Sequence, residues 1–209
     1  MEVSYPRLYP VLDKVENKVE NKSVLDQVDS AIVSWCSGNA PKTKQEEDTL
    51  LKQAAKRYKI KCDKNPGKLA ELVVYNTLKR LGQAPKYQSI ECNWLSGQKK
   101  ITPDMVTSDY VVEVKSLRFF NGKGGKGNQG TATEKIDSIF RKYSGIPGKL
   151  LIVFCGDVKH DRNGKMYLEA FNRDEYNGNQ FLKVVHENFR DKVIVTTFED
   201  LEFKVTPSK

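Results

Sequence analysis

The sequence predicts a mixed α/β fold (α+β mixed): one central mixed β-sheet flanked by helices, with a helical extension ahead of it. Three observations carry this expectation. Up to Asn65-Pro66-Gly67 the apolar spacing is helical only, and beyond it strand-type and helical runs alternate. The order of elements reads α-α, then α-β-β-β-α-β-α-β, which packs most simply as a single sheet covered by helices. The chain has 209 residues, enough for one domain with an appendage rather than two independent domains. The expected division is an N-terminal helical extension at 1–66 and a core at 67–209, together one compact unit.

Each element has a local reason. Residues 1–21 are polar and carry a short VENKVENK duplication, read as low complexity. Over 23–35, Val24, Leu25, Val28, Ile32 and Val33 recur at helical spacing, with Ser23 as the expected N-cap. A second helix, 45–58, carries acids at its start and Lys and Arg at its end, which suits the helix dipole. The segment 67–82 has an apolar stripe of Ala70, Val73, Val74, Thr77, Leu78 and Leu81, and Gly82 is a good stop. Strand-type runs follow at 87–95, 101–106, 110–117 and 150–155, with Thr107-Ser108-Asp109 as the expected hairpin turn. A helix over 131–143 starts with a capping box, Thr131 and Glu134, and shows an apolar face of Ile136, Ile139, Phe140 and Tyr143. The tail predicts a helix at 180–189 and a strand at 192–198.

Composition excludes several classes. The longest apolar runs, 150–155 and 193–195, fall far short of the ~20 residues that a membrane span needs. The first residues show no secretory leader. The four cysteines, Cys36, Cys62, Cys92 and Cys155, form no CxxC pair, which argues against a zinc ribbon or disulfide scaffold. The expectation is a reduced, intracellular (cytoplasmic) protein. A net charge of +8 points to an anionic partner, nucleic acid first.

Chemistry concentrates in ITPDMVTSDYVVEVKS, residues 101–116. Side chains alternate along a strand, so Glu113 and Lys115 share one face while Val112 and Val114 share the other. With Asp109 in the turn, the hairpin brings Asp104 near Glu113. Two converging carboxylates make a hard-oxygen site suited to Mg²⁺, and an ammonium group beside them can hold a water. The combination suits phosphodiester hydrolysis. The structural alternative is an exposed hairpin with an ordinary Glu–Lys pair.

Pro103-Asp104, eight residues, then Glu113-Val114-Lys115 resembles the PD-(D/E)XK nuclease superfamily, which includes most type II restriction endonucleases. The family core is α-β-β-β-α-β with the motif on its second and third strands, the order read above. Gly67-Lys68-Leu69-Ala70-Glu71 is similar to the family's G…AE helix; on a wheel of ~100° per residue Glu71 falls on the flank of the apolar stripe. Gly130 to Ile136 resembles the helix start after the motif in several restriction enzymes. The resemblance covers about residues 67–200. It implies a restriction-endonuclease-like core and a Mg²⁺-dependent, site-specific endonuclease that leaves 5′-phosphate and 3′-hydroxyl ends. It further implies that Asp104 and Glu113 bind one or two Mg²⁺ ions, with the Val114 carbonyl as a further ligand. Lys115 would act on the attacking water and Glu71 as an outer partner. A palindromic double-stranded DNA target favours a C₂ homodimer.

The remaining features are weaker signals. Lys123 and Lys126 lie in a glycine-rich run that lacks the phosphate-loop pattern GxxxxGK[ST]; it reads as a linker or a DNA-contacting loop. With Asn128, Gln129, Thr131, Lys135 and Arg141 it makes the expected DNA-binding stretch. Residues 115–149 hold eight basic and two acidic side chains. His160, His186 and the cysteines read as surface or packing residues, and Trp35 and Trp94 as core or interface. Two other functions fit the same residues: a junction-resolving, repair or homing nuclease of the superfamily, and a non-catalytic basic DNA-binding module.

Overall fold

The computed structural model describes residues 22–60, 66–94, 97–120, 139, 142–143, 145–146 and 148–205. Three helices come first: α1 (Lys22–Cys36), α2 (Lys44–Arg57) and α3 (Pro66–Arg80). Helix α1 already includes Ser23, which is therefore not its N-cap. Thr43 caps α2 by accepting from the Glu46 amide at 3.2 Å, and Lys56 and Arg57 occupy the last turn. Pro66 opens α3, where its missing N–H costs nothing. The helix ends as expected: Gly82 takes φ +78°, and the Gln83 amide returns to the Leu78 carbonyl at 3.0 Å.

Two sheets follow. Strands β1 (Ile90–Trp94) and β2 (Gly97–Ile101) form a separate antiparallel pair, with Ile90 opposite Ile101. The main sheet has the order β3-β4-β5-β6, from β3 (Met105–Val106), β4 (Tyr110–Leu117), β5 (Lys149–Gly156) and β6 (Val193–Thr197). β3 runs antiparallel to β4, while β4, β5 and β6 are parallel. The expected single strand at 101–106 is thus two: Ile101 closes β2, and β3 begins only at Met105. Pro103 sits between them and has no N–H for a ladder, so pairing cannot run through it. Helices α4 (Arg162–Arg173), α5 (Gln180–Phe189) and α6 (Leu201–Val205) complete the described elements. Of these, α5 is where the periodicity puts it; β2, α4 and α6 are additions. The expected helix at 131–143 lies mostly outside the described residues, of which Ile139, Lys142 and Tyr143 are helical.

The sheet is covered on both faces, which is why β5 is apolar from Leu150 to Cys155. One face packs Val112, Val114, Leu151, Val153 and Cys155 against α1, α2 and α3, including Ile32, Trp35, Leu51 and Val74. Helices α1 and α2 therefore share a core with α3 and the sheet. The other face packs Val111, Ile152, Phe154 and Val195 against Tyr143, Tyr167 and Leu182. Where β4 and β5 end side by side, Gly156 has φ +89°, and a Cβ there would meet the Leu117 carbonyl oxygen at 2.1 Å. Only glycine permits that approach. No helix among the described residues is long and apolar enough to cross a membrane.

Candidate active site

The β3–β4 hairpin brings together what its sequence suggests. Thr107 organises the turn: its Oγ1 accepts from the amides of Asp109 and Tyr110 at 3.2 and 3.0 Å. Pairing runs Val106 to Val111 and Met105 to Val112, so Asp104 stands one step beyond the last pair, level with Glu113. There Asp104 Oδ2 accepts from the Val114 amide at 2.7 Å. The carboxylate thus takes over where the short β3 stops pairing. On β4 the alternation is as expected. Val112 and Val114 enter the core under the first three helices, and Glu113 and Lys115 alternate with them. Lys115 Nζ donates to Glu113 Oε1 at 2.8 Å.

Glu113 is buried, and its second oxygen faces a group that no motif marks. The Tyr143 hydroxyl donates to Glu113 Oε2 at 2.5 Å. Lys142 Nζ lies 3.7 Å from the same oxygen and donates to the Thr102 carbonyl at 3.1 Å. Tyr143 counts in sequence only as part of an apolar helix face, and Lys142 only as surface charge. Their hydrogen-bonding ends, aimed at β4, leave no periodic signal.

Glu71 sits on α3 at the flank of its buried stripe, with its side chain 12% exposed and Lys68 Nζ 2.6 Å from its Oε2. It belongs to the same electrostatic neighbourhood. Burial raises its carboxyl above the ordinary value, Lys68 opposes the rise, and the Glu113 charge adds to it. Asp104 is pushed further, up to about 6, by burial and then by Glu113 and Glu71, against the Val114 amide and Lys115. Tyr143 is raised above the usual tyrosine range by burial and Glu113, so it stays a neutral donor.

Asp104 and Glu113 are neighbours where β3 stops pairing, and Glu71 reaches them through charge alone. Among the described residues no three Asp, Glu, His or Cys side chains converge as a ready-made cage. Mg²⁺ takes one or two carboxylates and keeps several waters. Asp104 and Glu113 fit that donor set.

The basic footprint is smaller than its charge count suggests. Arg118 pairs with both Glu47 and Asp48 and so is already engaged by α2. Glu47 is fully buried; it also accepts from Trp35 Nε1 at 3.0 Å and from the Phe119 amide at 2.9 Å. Lys115 and Lys142 face Glu113. Lys123, Lys126, Asn128, Gln129, Thr131, Lys135 and Arg141 lie outside the described residues. The histidines are surface and packing residues as expected. His160 Nδ1 meets buried Asp157 at 2.8 Å with its side chain 60% exposed, and buried His186 shares a 2.7 Å hydrogen bond with the Tyr176 hydroxyl. Cys36, Cys92 and Cys155 are buried free thiols.

Comparison with known proteins finds no family model that matches the chain, and no curated protein or solved structure with significant similarity to it.

Proposed function

We propose that the chain is a Mg²⁺-dependent, site-specific endonuclease of double-stranded DNA, of the restriction type, with a restriction-endonuclease-like core. One observation carries the reading: Asp104, just ahead of β3, comes together with Glu113 and Lys115 of the antiparallel β4, Asp104 bonded to the Val114 amide and Lys115 to Glu113. The parallel step from β4, which carries the ExK residues, to β5 supports it. The element order, by contrast, departs from the expected α-β-β-β-α-β: β1 and β2 stand in a sheet of their own, and the motif falls at the third and fourth strands rather than the second and third. Asp104 and Glu113 would hold the ion, with the Val114 carbonyl as a further ligand. Lys115 would orient the attacking water or lower its pKa, and Glu71 would act from outside. A bound Mg²⁺ would supply Lewis acidity and offset charge on the phosphate. A homodimer with one site per strand is the assembly that a palindromic target calls for.

The test is digestion of a sequenced plasmid with Mg²⁺ and with EDTA, mapping any ends. Discrete cuts that appear only with the metal are expected. A competing reading is a basic DNA-binding module. Its support is that every carboxylate of the cluster already has a protein partner, as a structural charge network would. Such a module shifts DNA in EDTA and in Mg²⁺ alike and never cuts it. Matched linear, branched and mismatched substrates separate a restriction enzyme from a junction-resolving or repair nuclease.

A further inference from the structure

Glu113 is surrounded by more positive charge than one carboxylate requires. Oε1 receives Lys115, while Oε2 receives the Tyr143 hydroxyl and faces Lys142 at 3.7 Å. Lys142, its side chain 37% exposed, has three neighbours. Besides Glu113 it has the Thr102 carbonyl at 3.1 Å, and its ammonium stands 4.7 Å from the centroid of the Tyr143 ring. The negative face of an aromatic ring favours a cation at such a distance. A carboxylate oxygen, a backbone carbonyl and a π face together define a cation position. Thr102 is two residues ahead of Asp104, so that position lies beside the carboxylate pair.

Hydrolytic metal sites come with one ion or with two set ~3.5–4 Å apart. In the two-ion form a carboxylate commonly serves both ions, one through each oxygen. Here the second ion would need Glu113 Oε2 and a further hard oxygen, for which the Thr102 carbonyl is placed. Lys142 already stands between them, bonded to the carbonyl and 3.7 Å from Oε2. An ammonium group brings one positive charge and three donors, with no coordination sphere to fill. We propose that Lys142 is a fixed cation standing where a second divalent ion would sit, so that the site takes a single ion at Asp104 and Glu113. This rests on the metal-dependent reading above and deepens it.

The experiment counts ions on the full chain without DNA, by titrating metal-free protein with Mn²⁺ and following heat and the free-ion paramagnetic signal. Wild type is expected to bind one ion per chain. Lys142→Arg keeps the charge and is expected to bind one as well. Lys142→Met keeps the aliphatic stem against Tyr143 but removes the ammonium from both oxygens, leaving Oε2 only the Tyr143 hydroxyl, and is expected to bind a second. Two ions on the wild type overturn this inference alone, whether or not the variants fold. A folded Lys142→Met chain that still stops at one ion overturns it too. A wild type that binds no Mn²⁺ overturns the metal-dependent reading, and this inference with it.

Discussion

Tyr143 and Glu113 are joined by a buried 2.5 Å hydrogen bond between residues thirty positions apart in the chain. A neutral hydroxyl orients the carboxylate without cancelling its charge, leaving that charge available to a cation. Tyr143→Phe keeps the ring and removes the donor. A hydrogen bond to a charged group contributes about 1.5–3 kcal/mol, so urea unfolding should show a loss of that order. Cleavage should fall in part. An unchanged urea midpoint would show that the bond orients nothing.

Asp104→Ala, Glu113→Ala and Lys115→Ala are each expected to abolish Mg²⁺-dependent cleavage in a folded chain. They separate in binding: Lys115→Ala retains both carboxylates and should still bind DNA in Ca²⁺. Glu71 feels Glu113 only through charge and pairs with Lys68, so Glu71→Ala should lose activity partly. Wild-type nicking by a folded Glu113→Ala chain would falsify the assignment.

The proton on Asp104 gives the site a pH signature. Burial and the charges of Glu113 and Glu71 push its carboxyl from 3.8 up to about 6. The folded chain therefore holds this proton more tightly than the unfolded one. The stability it contributes is fully present below the unfolded value and is lost as pH rises through the folded value. Denaturation at about pH 4 and about pH 7 should reveal that decline, and Asp104→Asn should flatten it. Divalent-ion affinity moves the other way, because ion and proton compete. Mn²⁺ binding should strengthen as pH rises through the Asp104 transition and level off above it.

Arg118 and the lysines of the glycine-rich run should separate stability from DNA contact. Glu47→Ala would leave Trp35 Nε1 and Arg118 facing a buried void, a loss of about 3–5 kcal/mol in chemical denaturation. Arg118→Gln should also destabilise, yet leave the salt dependence of DNA binding unchanged, because α2 already engages this side chain. Replacing Lys123 and Lys126 by Gln should flatten that dependence by up to about two units of log–log slope. An Arg118→Gln chain with the flattened slope, beside a lysine variant without it, would reverse these roles.

Gly156→Ala is the backbone counterpart. The added methyl would strike the Leu117 carbonyl oxygen at 2.1 Å, in a conformation that L side chains rarely adopt. A clear drop in melting temperature is expected; an unchanged one would mean that the β4 and β5 ends can separate freely.

What the sequence makes legible is what is local. The turn at Thr107-Ser108-Asp109 and the alternation along β4 put Glu113 and Lys115 on one face, because strand periodicity depends only on neighbours. The helix stop at Gly82 is legible for the same reason. Glu47 is not: a glutamate in the first turn of a helix reads as a dipole-compensating surface acid, whereas its partners Trp35 and Phe119 lie twelve and seventy-two residues away. Lys142 and Tyr143 escape for that reason too. Helix α4 hides behind Gly164, a residue that weakens any helical pattern, although the Asp161 carboxylate caps it by accepting from the Gly164 amide at 2.7 Å. The split of the strand at 101–106 was signalled by Pro103, whose missing donor outweighs the apolar run around it.

The different reach of these contacts sets a schedule for the folding chain. Asp104 meets the Val114 amide across ten residues, a span that a hairpin closes in microseconds. Tyr143 arrives across thirty residues, and Glu47 only when α2 docks on the end of β4. Contacts of long range close late. The carboxylate pair is thus expected to form early, while the groups that hold it in register come last. Pulse-labelled hydrogen exchange should then protect the Val114 amide before that of Phe119. A chain still emerging or half refolded would carry its charged residues without the geometry that brings them together.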